Sequence, residues 1–164
     1  MQPAMVPTTM PAQLDHAGIE ARIPHRGPMC LLDRMTSWSD ARIECVATDH
    51  RDPKHPLRSR SGLLASAAIE YAAQATAVHG ALSARAAGAS ASPGFLASAR
   101  DVRFACLRLD DLPPASPDEL VVSAERQAAD ASRILYAFRV SHGGREIASG
   151  RVAVVLDASL SLPT

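Results

Sequence analysis

Between residues 62 and 86 the chain reads GLLASAAIEYAAQATAVHGALSARA, a run of small and aliphatic side chains without proline and with Glu70 as its single acidic position. Leu63, Leu64, Ile69, Val78 and Leu82 do not keep to one stripe, and alanines fill the remaining faces. A helix apolar all round is a buried helix, so the pattern predicts a buried helix over 62–86. Gly88 to Pro93 ends it. Beyond that break the period falls to two over 94–109, 119–128, 132–141 and 145–157, which predicts four strands. Gly143-Gly144 signals a tight hairpin between the last two, and the proline-rich stretch LDDLPPASPDE links the first two. Upstream, Asp15 to Arg22 reads as a short helix capped by Asp15 and closed by Pro24. Strands are expected at 29–37 and 41–49, joined by a turn at Trp38 to Asp40, and 50–61 reads as a polar, basic loop.

The order is therefore short helix, two strands, long apolar helix, four strands. A helix hydrophobic on every face needs a sheet that curves around it. This points to an α+β protein of hot-dog type, with an antiparallel sheet of about five or six strands around one central helix. Small alanines would let the sheet approach the helix backbone closely. An open sheet leaves edges, which a dimer with a continuous sheet would cover. The expected layout is a loose tail at 1–13, one domain at 14–158 and a short tail at 159–164.

The chain has 164 residues, 47% hydrophobic and 21% charged, with zero formal net charge and 4% aromatic residues. That size supports a core without disulfides or metal. Zero net charge and few aromatics argue against nucleic acid and against a membrane surface. Cys30, Cys45 and Cys106 are odd in number and form no CxxC pair, which suits reduced thiols in a cytoplasmic protein. Residues 1–13 lack the basic and apolar regions of a secretory signal. Glu70, Gln74, His79 and Arg85 argue against a membrane span at 62–86. No GxGxxG or GxxxxGK[ST] run occurs, and no nucleophile elbow. No cofactor is expected. A metal reading of His50 and His55 with Asp49 and Asp52 lacks a recognised ligand spacing, so no metal site is expected either.

Pro24-His25-Arg26-Gly27-Pro28-Met29-Cys30-Leu31-Leu32-Asp33-Arg34 resembles the PHRxPxLLxDR segment of bacterial 3-hydroxyacyl-[acyl-carrier-protein] dehydratases. Ile69-Glu70-Tyr71-Ala72-Ala73-Gln74-Ala75 resembles their central-helix motif (L/I)ExxAQA. Gly94-Phe95-Leu96 with Arg100 to Phe104 resembles their third-strand signature, and Pro117-Asp118-Glu119-Leu120 the turn opening the next strand. These matches run in order across about residues 20–157. The resemblance implies a hot-dog homodimer acting on a 3-hydroxyacyl thioester carried by acyl carrier protein. It is closest to a divergent hydroxymyristoyl-type branch associated with aryl-polyene synthesis. One departure stands out: the family's GHFPG segment places its basic His fourteen residues before the helix Glu, where this chain has Pro56. The family's glycine five residues before that Glu is replaced by Ala65.

Dehydration needs a base for the C2 proton, an acid for the departing hydroxyl and donors for the carbonyl oxygen. Glu70 in an apolar setting would have a raised pKa, suited to protonating the hydroxyl; pairing with a buried Arg or Tyr is the structural alternative. Gln74, one turn along the same face, could orient Glu70 or simply satisfy a strand carbonyl. His50 and His55 are the candidate bases, or else solvated loop residues. The helix start at Gly62, Ala65 and Ser66 offers unpaired amides for a thioester carbonyl. The resemblance makes His25 a structural and pocket-edge residue, and Met29 of the same segment is expected among the substrate-binding residues. Arg51, Lys54, Arg58 and Arg60 form a basic rim that could dock an acidic carrier. The rival expectations are a thioesterase on the same fold and a catalytically impaired acyl-binding subunit paired with an active dehydratase. His79 is expected to pack locally, and His16 and His142 carry no signal.

Overall fold

The computed structural model describes residues 9–92 and 94–156. The expected tails at 1–13 and 159–164 lie wholly or mostly outside these residues. Helix α1 (His16–Glu20) starts as the sequence suggests, with the Asp15 carboxylate accepting the Gly18 N–H at 2.8 Å. Strands β1 (Arg34–Trp38) and β2 (Arg42–Ala47) follow, then helix α2 (Ala67–Ala86) and strands β3 (Gly94–Phe104), β4 (Leu120–Ala129), β5 (Arg133–His142) and β6 (Arg145–Leu156).

All six strands join one antiparallel sheet in the order β1-β2-β4-β5-β6-β3. Helix α2 packs against β4, β2 and β5. Its contact face is built from Ala68, Ala72, Ala75, Val78 and Leu82, all fully buried with Tyr71. Facing them are Ile43, Cys45, Leu120, Val122 and Val140. Alanine helps here twice: it is the best helix former, and it keeps the helix axis close to the sheet. Gly143 and Gly144 take φ of +55° and +77° at the β5–β6 turn, as a two-residue hairpin of this hand requires.

Three expectations need correction. The helix begins at Ala67, not Gly62. Residues 63–65 instead run beside 107–109, with the Ala65 N–H donating to the Leu107 carbonyl and the Leu109 N–H to the Leu63 carbonyl. That pairing also ends β3 at Phe104, five residues earlier than the alternation suggests. The strand expected from residue 29 begins at Arg34, because Gly27–Met29 forms a 3-10 turn opened by Gly27 at φ +56°.

Strand β3 lies at the sheet edge and is exposed along almost its whole length. Phe95, Leu96 and Phe104, with Leu107 just beyond, leave large apolar side chains in the open. Among the described residues, no helix is long and apolar enough to cross a membrane.

Candidate active site

The later start of α2 places Glu70 in its first turn rather than at its middle. The side chain is about a third exposed, at 32%, so the apolar enclosure expected around it is absent in the single chain. Glu70 is nevertheless held. Its Oε1 lies 3.1 Å from His25 Nε2 and accepts the Gln74 amide at 3.1 Å. Its Oε2 has no hydrogen-bond partner among the described residues.

Gln74 is fully buried and ties α2 to the PHR segment. Its amide nitrogen also donates to the Met29 carbonyl at 2.8 Å, and its carbonyl accepts the Leu31 N–H at 2.9 Å. The PHR segment is thereby clamped onto α2, which sets His25 opposite Glu70. The His25 side chain is 28% exposed, but its Nδ1 is buried and lacks a partner. Met29 presents its side chain to the outside.

The structure does not bring His50 or His55 to Glu70 within the chain. Both rings are fully buried rather than solvated in a loop. His55 Nδ1 accepts the Leu57 N–H at 3.1 Å, so the proton sits on Nε2. That nitrogen lies 2.9 Å from the Tyr71 hydroxyl, which in turn donates to Asp49. Burial pushes His55 down, Asp49 up and Tyr71 up from their ordinary pKa values.

His50 belongs to another group. Its ring meets that of His142 edge to face at 5.5 Å, and its Nε2 lies 3.3 Å from Asp118 Oδ1. His142 Nε2 donates to the same oxygen at 2.7 Å. Arg51 donates to the other oxygen at 2.6 Å and to Oδ1 at 3.1 Å, and its guanidinium with His142 keeps Asp118 well below the usual carboxylate range. Burial lowers His50. No sequence signal marked His142 or Asp118 as its neighbours, since 92 residues separate the two histidines and only the sheet register joins them.

The helix start is more occupied than expected. The Gly62 N–H donates to Ser59, the Leu63 N–H to Asp110 and the Ala65 N–H to Leu107. The amides of Ala67, Ala68 and Ile69 close tight turns onto Leu64, Ala65 and Ser66. Ser66 makes no side-chain cap. Gly62 sits at φ +96° with no room for a Cβ, which would fall 2.6 Å from Arg108 Nε and 2.8 Å from Asp110.

Of the basic rim, Arg51 is spent on Asp118 and the Leu112 carbonyl, and Arg58 on Asp110 at 3.1 Å. Lys54 and Arg60 remain exposed. His79 is buried, but its partners are distant rather than local: Nε2 donates to the Ser39 carbonyl and Nδ1 accepts from the Tyr136 hydroxyl, both at 2.8 Å.

A long helix cradled by a six-stranded antiparallel sheet defines a hot-dog protein, and solved structures agree. The dehydratase heterocomplex ApeI:P from Xenorhabdus doucetiae matches with TM-score 0.75 at 24% identity, over 88% of this chain and 93% of that one. Zebrafish thioesterase superfamily member 2 matches with TM-score 0.60 at 12% identity, over 88% and 99%. A hypothetical thioesterase with coenzyme A from Streptococcus pneumoniae TIGR4 matches with TM-score 0.53 at 10% identity, over 75% and 84%. No curated protein matches in sequence. The family of ApeP-like proteins, described as ApeP dehydratase, matches residues 17–161. The chain belongs to this ApeP-like dehydratase family.

Proposed function

We propose that the protein is a subunit of a dehydratase that removes water from a 3-hydroxyacyl thioester borne on acyl carrier protein, giving a trans-2-enoyl thioester of the aryl-polyene type. The observation that carries this reading is the Glu70–His25 pair. One carboxylate oxygen is fixed by an imidazole and an amide, and the other is left for a substrate.

The pair holds one proton between Glu70 and His25. Glu70 Oε2 takes the C2 proton of the thioester as the C2–C3 double bond forms. The pair returns one proton to the departing C3 hydroxyl, which leaves as water, so its own proton count is unchanged. Gln74 keeps the carboxyl group aimed, and His25, not His50 or His55, is the partner imidazole.

The open side of Glu70 and the bare apolar edge of β3 support pairing with a second subunit that completes the acyl site. The dehydratase ApeI:P is a heterocomplex, and that precedent favours a second reading, in which this chain assists a catalytic partner subunit. The rebuilt loop, which seals His50 and His55 away, favours it too. The carrier would use Lys54 and Arg60, the exposed members of the rim. A cytoplasmic location fits three cysteines that are all free thiols.

The test is a dehydration assay on a 3-hydroxyacyl carrier-protein thioester, run with the chain alone and with its partner subunit added. Enoyl product from wild type that disappears in Glu70→Gln supports the proposal. Undiminished turnover in Glu70→Gln overturns the role of this pair. Release of free thiol without enoyl product makes the protein a thioesterase instead.

A further inference from the structure

A second group of ligand-type side chains lies apart from the Glu70 pair and is not used by it. His50 follows β2, Asp118 precedes β4 and His142 ends β5. Their ligand atoms, one from each residue, all fall within 4.8 Å of one another. Both histidines are buried.

His50 is the anomaly. The ring is fully buried; Nδ1 has no polar partner, and Nε2 lies 3.3 Å from Asp118 Oδ1 without the alignment of a hydrogen bond. A buried polar atom left unpaired costs about 1–3 kcal/mol, so two on one ring call for an explanation. His25 Nδ1 and Ser83 Oγ are also buried without a partner, but His50 alone among the described histidines has both ring nitrogens in that state; both nitrogens of His55 and both of His79 are satisfied.

We propose that His50, Asp118 and His142 bind one divalent first-row transition metal ion, with Zn²⁺ as the expected species. Two imidazoles and one carboxylate oxygen suit Zn²⁺ and its neighbours rather than Ca²⁺ or Mg²⁺, which take oxygen ligands. The metal replaces the proton that His142 now donates to Asp118 and gives His50 Nε2 a partner; Nδ1 is left as it is. Arg51 grips both carboxylate oxygens, Oδ2 at 2.6 Å and Oδ1 at 3.1 Å, so its second contact must loosen for Oδ1 to bind the metal, while the first stays as an outer partner that orients the ligand. Its positive charge opposes the metal, so the affinity falls below that of a closed four-ligand site. Three protein ligands leave a tetrahedral position for water. The bound ion would fasten the loop after β2 to the start of β4 and the end of β5.

Among the described residues the other group of this kind, His16, Glu20 and Cys30, is the natural rival. It contains a thiol, and His16 Nδ1 is already committed to the Leu32 carbonyl.

The test is titration of the metal-stripped full chain with Zn²⁺ by calorimetry, with Mg²⁺ in parallel, followed by X-ray absorption of the Zn²⁺-loaded wild type. One Zn²⁺ per chain, no Mg²⁺ binding, two imidazole ligands and no sulfur ligand are expected. His142→Ala should weaken binding at least tenfold, and His16→Ala should leave it unchanged. No Zn²⁺ binding by wild type, a sulfur ligand, or unaltered affinity in a folded His142→Ala overturns the assignment. The absorption spectrum of wild type decides the matter even if the variant fails to fold.

Discussion

Two imidazole–carboxylate groups flank the first turn of α2, and they differ in one respect that matters. Glu70 and Tyr71 are consecutive, so their side chains leave the helix about 100° apart. Glu70 turns toward His25 and stays a third exposed with one oxygen unpartnered. Tyr71 turns toward His55 and Asp49, and every polar atom it meets there is paired. A group that performs proton transfer must reach a substrate, whereas a group that holds a fold must exclude water. On the proposed reading the same residue types serve both ends, and access separates them.

That contrast breaks most sharply by exchanging the two kinds of damage. Glu70→Gln should lower kcat/KM by about 10²–10⁴-fold, the range for lost acid–base chemistry, while unfolding free energy moves by no more than about 0.5 kcal/mol. His55→Ala should do the reverse, costing about 2–4 kcal/mol because Tyr71 and Asp49 lose a buried partner. Urea unfolding and steady-state kinetics on both variants read the outcome. A stable but inactive His55→Ala would return His55 to the catalytic role first expected of it.

Gln74 bridges the two behaviours and sharpens the line between them. Gln74→Ala strips the Met29 carbonyl and Leu31 N–H of their partner, at about 1–3 kcal/mol, and also releases Glu70. Both Tm and kcat should fall. A loss confined to Tm would show that the clamp on the PHR segment does not aim the carboxyl group.

Acid should separate the groups more gently. His50, His55 and His79 are lowered by burial. Their unfolded forms therefore bind protons that the folded forms resist, and stability is full above about pH 6.5 and declines as pH falls below it. Asp110 acts further down. Its hydrogen bond from Arg108 holds its pKa at about 2, against about 3.9 in an unfolded chain. Its contribution is present above about pH 4 and drains as pH falls toward 2. Asp110→Asn should cost about 1–3 kcal/mol at neutral pH and remove that last acid-sensitive segment from a urea-midpoint profile.

The order of the elements and the fold class were legible in the chain, although the start of α2, the end of β3 and the start of β1 were not. Alanine-rich, aperiodic apolarity marked α2, alternation marked the strands, Asp15 marked the first cap and Gly143-Gly144 the last hairpin. These are local signals, because a helix stripe, a cap or a turn is specified by residues within a few positions of one another. The position of Glu70 within α2 was not local. Leu107 and Leu109 capture the backbone of 63–65, and that pairing moves the helix start to Ala67. The choice among histidines was not local either. His50 and His55 were the expected bases as the imidazoles nearest the family's His position, which Pro56 occupies here, but Gln74 draws the distant PHR segment onto α2 and sets His25 beside Glu70. His142 and Asp118 reach His50 only through strand register. Contacts across many residues depend on how the sheet closes around the helix, and that closure was the tertiary structure's to decide.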